Sequence, residues 1–118
     1  MSHPQFDDTI FEAASGLFTL LSTPIRLKII CAVCDGEKNV GELLQQIETT
    51  QPNMSQHLSA LLKAGVLLRR REGNQMYYRL QSERVATLCR AVCTQVASEF
   101  DASQDIASTN RLIPVTLR

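Results

Sequence analysis

Apolar side chains recur with a helical period along most of this chain. In Thr50–Gly65 they lie at i, i+4, i+7 and i+8, which places Met54, Leu58, Leu61 and Leu62 on one face of a helix. Thr50 is a suitable N-cap and Gly65 a suitable stop. Similar periodicity and capping residues predict four more helices: Phe6–Leu21, Ile25–Cys34, Asn39–Ile47 and Glu83–Phe100.

One region between these helices has a different pattern. Val66–Glu72 and Gln75–Leu80 are rich in β-formers and flank Gly73-Asn74, which predicts a hairpin. The predicted fold is therefore mainly α with a two-stranded β-hairpin wing, in the order α-α-α-α-β-β-α, a winged helix-turn-helix. Residues 1–100 are expected to form one DNA-binding and dimerisation domain, and residues 101–118 a polar, mobile C-terminal tail.

The charge distribution supports nucleic-acid binding although the formal net charge is zero. Between Thr50 and Gln81 there are five basic residues and one acidic residue, whereas Met1–Leu21 contains acids and no Lys or Arg. Each element has an alternative interpretation. Thr50–Gly65 could be an ordinary solvated amphipathic helix, and the arginines of the hairpin could protect an exposed edge strand by their charge. The hairpin arginines should alternate, with Arg70 on the face opposite Arg69 and Arg71. The candidate DNA contacts are Gln51, Asn53, Ser55, Gln56, His57, Lys63, Arg69 and Arg71.

The chain shows no apolar run long enough for a bilayer and no signal peptide at its N-terminus. We therefore expect a cytoplasmic protein without a membrane partner. Thiols are kept reduced in the cytoplasm, so the four cysteines are not expected to form structural disulfides.

Several separate motifs resemble the ArsR/SmtB family of bacterial repressors. They are Leu21–Ile29, Val40–Leu43, Gln51–Leu58, Leu61–Leu67 and Tyr78–Leu80, at the mutual spacing of that family. The resemblance covers about Leu17 to Val96. It implies a homodimer joined by the first and last helices, which binds double-stranded DNA at an inverted-repeat operator and is released by an inducer.

The two common metal sites of that family are not present at the matching positions. The zinc site of the last helix falls on Ser82, Arg84, Gln95 and Ser98, and the Cys-x-Cys site of the third helix falls on Asn39 and Gly41. No cofactor is therefore expected from those sites.

The cysteines provide the remaining candidate chemistry. Cys31 and Cys34 lie three residues apart on the second helix, and Cys89 and Cys93 lie four apart on the last, so each pair shares a helix face. Buried, inert thiols are one interpretation. A soft metal or metalloid held by Cys31, Cys89 and Cys93 is another.

Thiol redox sensing is slightly favoured over these alternatives. Cys31 matches the second-helix cysteine of the persulfide-sensing branch of the family (the BigR and SqrR type), whereas Ala97 occupies the position of its other cysteine. Cys31 with Cys93 is the first candidate pair, and Cys34 with Cys89 the second. The reactive thiol should be partly exposed with a lowered pKa, to which Arg26, Lys28 or Arg90 would contribute.

Two other classes of function are disfavoured. Catalysis by a Cys/His pair would need His3 or His57 near Cys31 or Cys93, and neither is expected there. A pure protein-interaction module would not bind DNA in a salt-dependent manner.

Overall fold

The computed structural model describes residues 5–110, and the side chains of residues 5–103. In chain order, the elements are α1 Asp8–Leu20, α2 Pro24–Cys34, β1 Lys38–Asn39, α3 Val40–Gln46, α4 Gln51–Lys63, β2 Leu67–Glu72, β3 Gln75–Leu80 and α5 Glu83–Asn110. The mainly helical winged helix-turn-helix prediction is confirmed.

Short polar side chains begin most of the helices. Asp7, Thr23 and Thr50 each accept a hydrogen bond from the backbone N–H three residues later. Asn39 and Glu42 form a capping box at α3, with reciprocal bonds of 2.8 and 2.9 Å. These caps depend only on neighbouring residues, which explains why the starts of the helices were predicted to within two residues.

The hydrophobic core lies where α2, α3 and α4 meet the base of the hairpin and α5. Its fully buried side chains come from every one of these elements: Ile29, Ile30, Leu43, Met54, Leu58, Leu61, Leu67 and Val85. Met54, Leu58 and Leu61 belong to the predicted apolar stripe of α4. Burial of that stripe determines which face of α4 is left for solvent.

The sheet has one more strand than predicted. β2 and β3 form the predicted hairpin with Glu72 opposite Gln75, so that Gly73 and Asn74 make the turn and Gly73 has a φ of +63°. The added strand, β1, pairs with β3 in the order β1-β3-β2. The hairpin prediction is confirmed, but β1 was not predicted, because two residues are too few for a periodicity signal and only tertiary pairing makes them a strand.

The predicted end of the last helix was also wrong. α5 continues to Asn110 and passes through the Phe100 boundary that separated domain from tail. Residues 101–110 contain no Gly or Pro, so no local signal ends the helix at Phe100. Residues 111–118 of the predicted tail lie outside the described part of the chain.

α1 contributes little to the core. No residue within α1 is buried, and Ile10, Phe11 and Phe18 are 47%, 53% and 60% exposed. On α5, Val92 and Phe100 are 51% and 46% exposed. Large apolar side chains thus remain uncovered on the first and last helices of a single chain.

Candidate DNA interface and thiol cluster

α4 presents a polar face to solvent. Burial of its apolar stripe leaves exposed side chains on the other side of the helix, and these are Gln51, Asn53, Ser55, Gln56 and Ser59. All are neutral, and each can donate and accept a hydrogen bond. Lys63 is exposed at the last turn of the same helix. The predicted residues of α4 are therefore all exposed, apart from His57.

His57 is half-buried and has a partner on another helix. The Nε–H of Arg26 on α2 donates to His57 Nδ1 at 3.0 Å. Arg26 Nη1 also donates to the carbonyl oxygen of Leu20 at 3.0 Å. Burial and the Arg26 charge both lower the pKa of His57, which favours the neutral form of its imidazole. No local pattern indicates this contact, because Arg26 and His57 are 31 residues apart.

Asn53, another predicted DNA contact, uses its side-chain amide nitrogen in a hydrogen bond within the protein. Asn53 Nδ2 donates to Thr49 Oγ1 at 2.8 Å, across the cap of α4. The Asn53 side-chain oxygen remains available as an acceptor. This contact holds the amide at the N-terminal end of α4, where a helix in the major groove places its base contacts.

The wing arginines divide between two faces as predicted. Arg69 and Arg71 pair with Tyr78 and Met76, whereas Arg70 is opposite Tyr77. Both Arg69 and Arg71 are exposed, and neither forms an ion pair with any residue in the described range. Both cations are therefore available to a phosphate.

Arg70 instead forms ion pairs with other residues of the protein. Its guanidinium donates two hydrogen bonds of 2.8 Å to Glu37 and one of 2.6 Å to Glu72, and lies 4.9 Å from the centroid of the Tyr77 ring. The hydrogen bond from Arg70 lowers the pKa of Glu37. Arg70 therefore links the wing to the segment between α2 and β1, a role that the run of three arginines did not reveal.

The four cysteines lie at the contact between α2 and α5. Cys31 is exposed, Cys34 and Cys93 are half-buried, and Cys89 is buried. Three of them, Cys31, Cys34 and Cys89, line a cleft of about 160 Å³ together with Arg90. Arg90 Nη1 donates to Cys34 Sγ at 3.5 Å. The structure thus brings together two thiol pairs that are more than fifty residues apart in the sequence.

The predicted lowering of the reactive thiol's pKa is wrong for Cys31. Burial raises the pKa of Cys31, and the neighbouring thiols Cys93 and Cys34 raise it further, through charge repulsion and a hydrogen bond with Cys93. Arg90 acts in the opposite direction with a smaller effect. The pKa of Cys89 is raised by burial first and then by the neighbouring thiols. Arg26, whose guanidinium is bonded to His57 and Leu20, is not among the groups that shift the pKa of Cys31.

The metal alternative finds no geometric support. Within the part of the chain that the structure describes, no three His, Cys, Asp or Glu side chains are arranged to hold a metal ion. The proposed set of Cys31, Cys89 and Cys93 does not form such a site in this conformation.

A helix-turn-helix with a polar exposed second helix, followed by a hairpin with exposed arginines, defines the chain as a winged helix-turn-helix DNA-binding protein. Residues 23–67 match the model of the family described as "Bacterial regulatory protein, arsR family". The chain belongs to the ArsR family of transcriptional regulators, which is not a family of enzymes.

One sequence relative and two solved structures illustrate the relationship. The biofilm growth-associated repressor of Xylella fastidiosa strain Temecula1 is 41% identical over 85 residues, which cover 69% of this chain and 75% of that one. The crystal structure of the transcriptional repressor BigR from Xylella fastidiosa shows 38% identity and a TM-score of 0.69, covering 74% of this chain and 89% of that one. A homodimeric winged helix-turn-helix DNA-binding domain from Mycobacterium bovis shows 27% identity and a TM-score of 0.65, covering 84% and 91%.

No single helix within residues 5–110 is long and apolar enough to cross a membrane, although α1 and α2 together have the length and composition and are bent by 90° at the break between them.

Proposed function

We propose that this protein is a dimeric transcriptional repressor that binds an inverted-repeat operator and is released by thiol chemistry between α2 and α5. The observation that carries the DNA-binding part is the polar face of α4, which is left exposed because Met54, Leu58 and Leu61 of the same helix are buried and Leu62 is partly buried. Similarity to the Xylella fastidiosa repressors supports the direction of regulation. DNA and reduced thiols are both available in the cytoplasm, where we expect the protein to act.

The exposed apolar residues of α1 and α5 support a dimer. Ile10, Phe11, Phe18, Val92 and Phe100 are at least 46% exposed, and large apolar patches mark interaction surfaces. The similar Mycobacterium bovis domain is homodimeric. A two-fold dimer would place the two α4 helices about 34 Å apart, so that they reach successive major grooves.

The placement of Cys31 beside Cys93 supports the switch. In the proposed reaction, one thiolate attacks the outer sulfur of a low-molecular-weight persulfide, RSSH, and releases the thiol RSH. The second thiolate then attacks the inner sulfur of the new cysteine persulfide and releases hydrogen sulfide. The net result is a Cys31–Cys93 disulfide, with RSSH as the oxidant that accepts two electrons.

A bond between α2 and α5 would connect the DNA-binding core to the proposed dimer interface. α2 packs against both α4 and α5, so a shift of α2 moves the recognition helix relative to the two-fold axis. A hundredfold loss of operator affinity requires only about 2.7 kcal/mol of coupling.

The DNA-binding part is tested with operators selected from random duplex DNA. Gln56→Ala combined with His57→Ala should weaken binding to the selected operator without unfolding the dimer. Glu48→Ala, a change in the connection before α4, serves as a control. Wild-type affinity in the double variant would refute the assignment of α4.

The switch is tested by exposing the reduced protein, in parallel, to a persulfide donor, hydrogen peroxide and As(III). Intact mass and operator affinity are measured for each. We expect Cys31→Ser and Cys93→Ser to bind the operator normally and to stay bound after persulfide treatment. Release of both variants by persulfide would exclude this pair, and tight binding of As(III) with release would favour the metalloid alternative.

A further inference from the structure

The contact between Arg26 and His57 determines the chemistry that the recognition helix offers to DNA. The guanidinium of arginine has only donors. Its Nε–H points at His57 Nδ1 at 3.0 Å, so Nδ1 must supply a lone pair. In a neutral imidazole with an unprotonated Nδ1, the single proton lies on Nε2. The lowered pKa of His57 is consistent with this neutral ring.

The other side of the imidazole reaches solvent. His57 Nε2 has no hydrogen-bond partner among residues 5–103, and no buried side-chain nitrogen or oxygen in that range lacks a partner. Nε2 is therefore accessible rather than buried. Asn53, one turn earlier, and Gln56, the preceding residue, are both exposed on α4. The Nε2–H thus lies at the edge of the proposed DNA-reading face.

Arg26 is itself held from several directions. Thr23 Oγ1 accepts from its backbone N–H at 3.2 Å, so Arg26 is fixed in the first turn of α2. Its Nη1 donates at 3.0 Å to the Leu20 carbonyl at the end of α1, a group that the helix leaves without an intrahelical partner. The guanidinium therefore joins α1, α2 and α4, and its position does not depend on His57 alone.

We infer that Arg26 is a positioning residue that holds the His57 imidazole in its Nε2–H tautomer, so that His57 contacts operator DNA as a hydrogen-bond donor. This inference rests on the proposed function, because it assigns a specific role within operator recognition. The partner must be an acceptor: purine N7, guanine O6 or thymine O4 on a base edge, or a phosphate oxygen. Without Arg26 the two neutral tautomers would exchange, and part of the population would present an acceptor instead.

The tautomer is measured first, on the free wild-type protein, by long-range ¹H–¹⁵N NMR near neutral pH. The chain has two histidines, and the spectrum of His57→Gln assigns the signals. We expect an unprotonated Nδ1 and a protonated Nε2 for His57. Arg26→Met should yield a mixture of tautomers, and Arg26→Lys should restore the Nε2–H form because Lys retains donors. A wild-type ring that is protonated at Nδ1 would overturn the inference, even if Arg26→Met does not fold.

Operator binding then separates a donor at Nε2 from a merely structural role. The amide of Gln can occupy the position of Nε2, whereas that of the shorter Asn corresponds to Nδ1. We expect His57→Gln to remain within about threefold of wild type and His57→Asn to lose about tenfold, the size of one hydrogen bond. Circular dichroism and sedimentation check that both variants remain folded and keep the wild-type oligomeric state. Equal affinity of wild type and His57→Asn would overturn the inference and leave the proposed function standing.

Modified operators locate the acceptor. Single 7-deazapurine substitutions remove N7, and single methylphosphonates remove a charged phosphate oxygen. At the true acceptor, the modification should weaken wild type about tenfold and leave His57→Asn unchanged, as expected for coupled partners. Analogues that lack guanine O6 or thymine O4 are tested in the same way. If no modified N7, O6, O4 or phosphate shows such coupling, the assignment of His57 as a donor is overturned.

Discussion

The exposed aromatic residues of α1 allow a quantitative prediction about dimerisation. Phe18 is 60% exposed in the single chain. A Phe side chain carries about 200 Å² of surface, so about 120 Å² is available for burial. At about 25 cal/mol per Å², complete burial of that area contributes about 3 kcal/mol. In a two-fold dimer each protomer contributes one Phe18, which doubles the burial free energy to about 6 kcal/mol.

The expected loss on truncation is smaller than this upper value. If half of the ring remains exposed to solvent at the rim of the interface, Phe18→Ala makes the free energy of dimerisation less favourable by about 3 kcal/mol per dimer. That corresponds to a dimer dissociation constant about 100-fold higher. The unfolding free energy of the protomer should change by less than about 0.5 kcal/mol, because the ring packs against little within one chain.

Sedimentation equilibrium from nanomolar to micromolar concentration measures the dissociation constant. Leu68→Ala is a matched control, since Leu68 is also an exposed apolar side chain, at 37%, but lies on the wing. We expect wild-type dimerisation in the control. A dimer constant within threefold of wild type for Phe18→Ala would refute burial of this α1 face, and a monomeric wild type at micromolar concentration would refute the dimer itself.

Three further predictions concern individual residues. Arg71→Ala should weaken specific and non-specific DNA binding alike and reduce the slope of log affinity against log salt by about one. Arg70→Ala should reduce that slope less, because Arg70 is already ion-paired with Glu37 within the protein. Because the pKa of His57 is lowered in the folded protein, the unfolded chain takes up a proton more readily. The free energy of unfolding should therefore fall as the pH drops below about 6.5, and this group should not change it above that value. Urea unfolding of wild type and His57→Gln at several pH values isolates the effect. Gly65→Ala should lower the free energy of unfolding by about 1–2 kcal/mol in urea denaturation, because Gly65 has a φ of +79° although no atom would contact the new Cβ.

Local patterns in the sequence were enough for most of the fold. Caps such as Thr50 and Asn39 act on residues three positions away, and the buried stripe of α4 follows from the helical period alone. The hairpin followed from its Gly-Asn turn and from the alternation of its strands. For the same reason the polar face of α4, and the separation of Arg70 from Arg69 and Arg71, follow from the order of the residues along the chain.

Contacts between distant segments could be decided only by the tertiary structure. The pairing of β1 with β3, the ion pair of Arg70 with Glu37 and the bond from Arg26 to His57 all depend on how helices and strands pack, which no local period encodes. Packing also overturned the expected pKa of Cys31, because burial and the neighbouring thiols outweigh the charge of Arg90. The sequence thus determined which side chains face outward, and the three-dimensional arrangement determined which of them already have a partner.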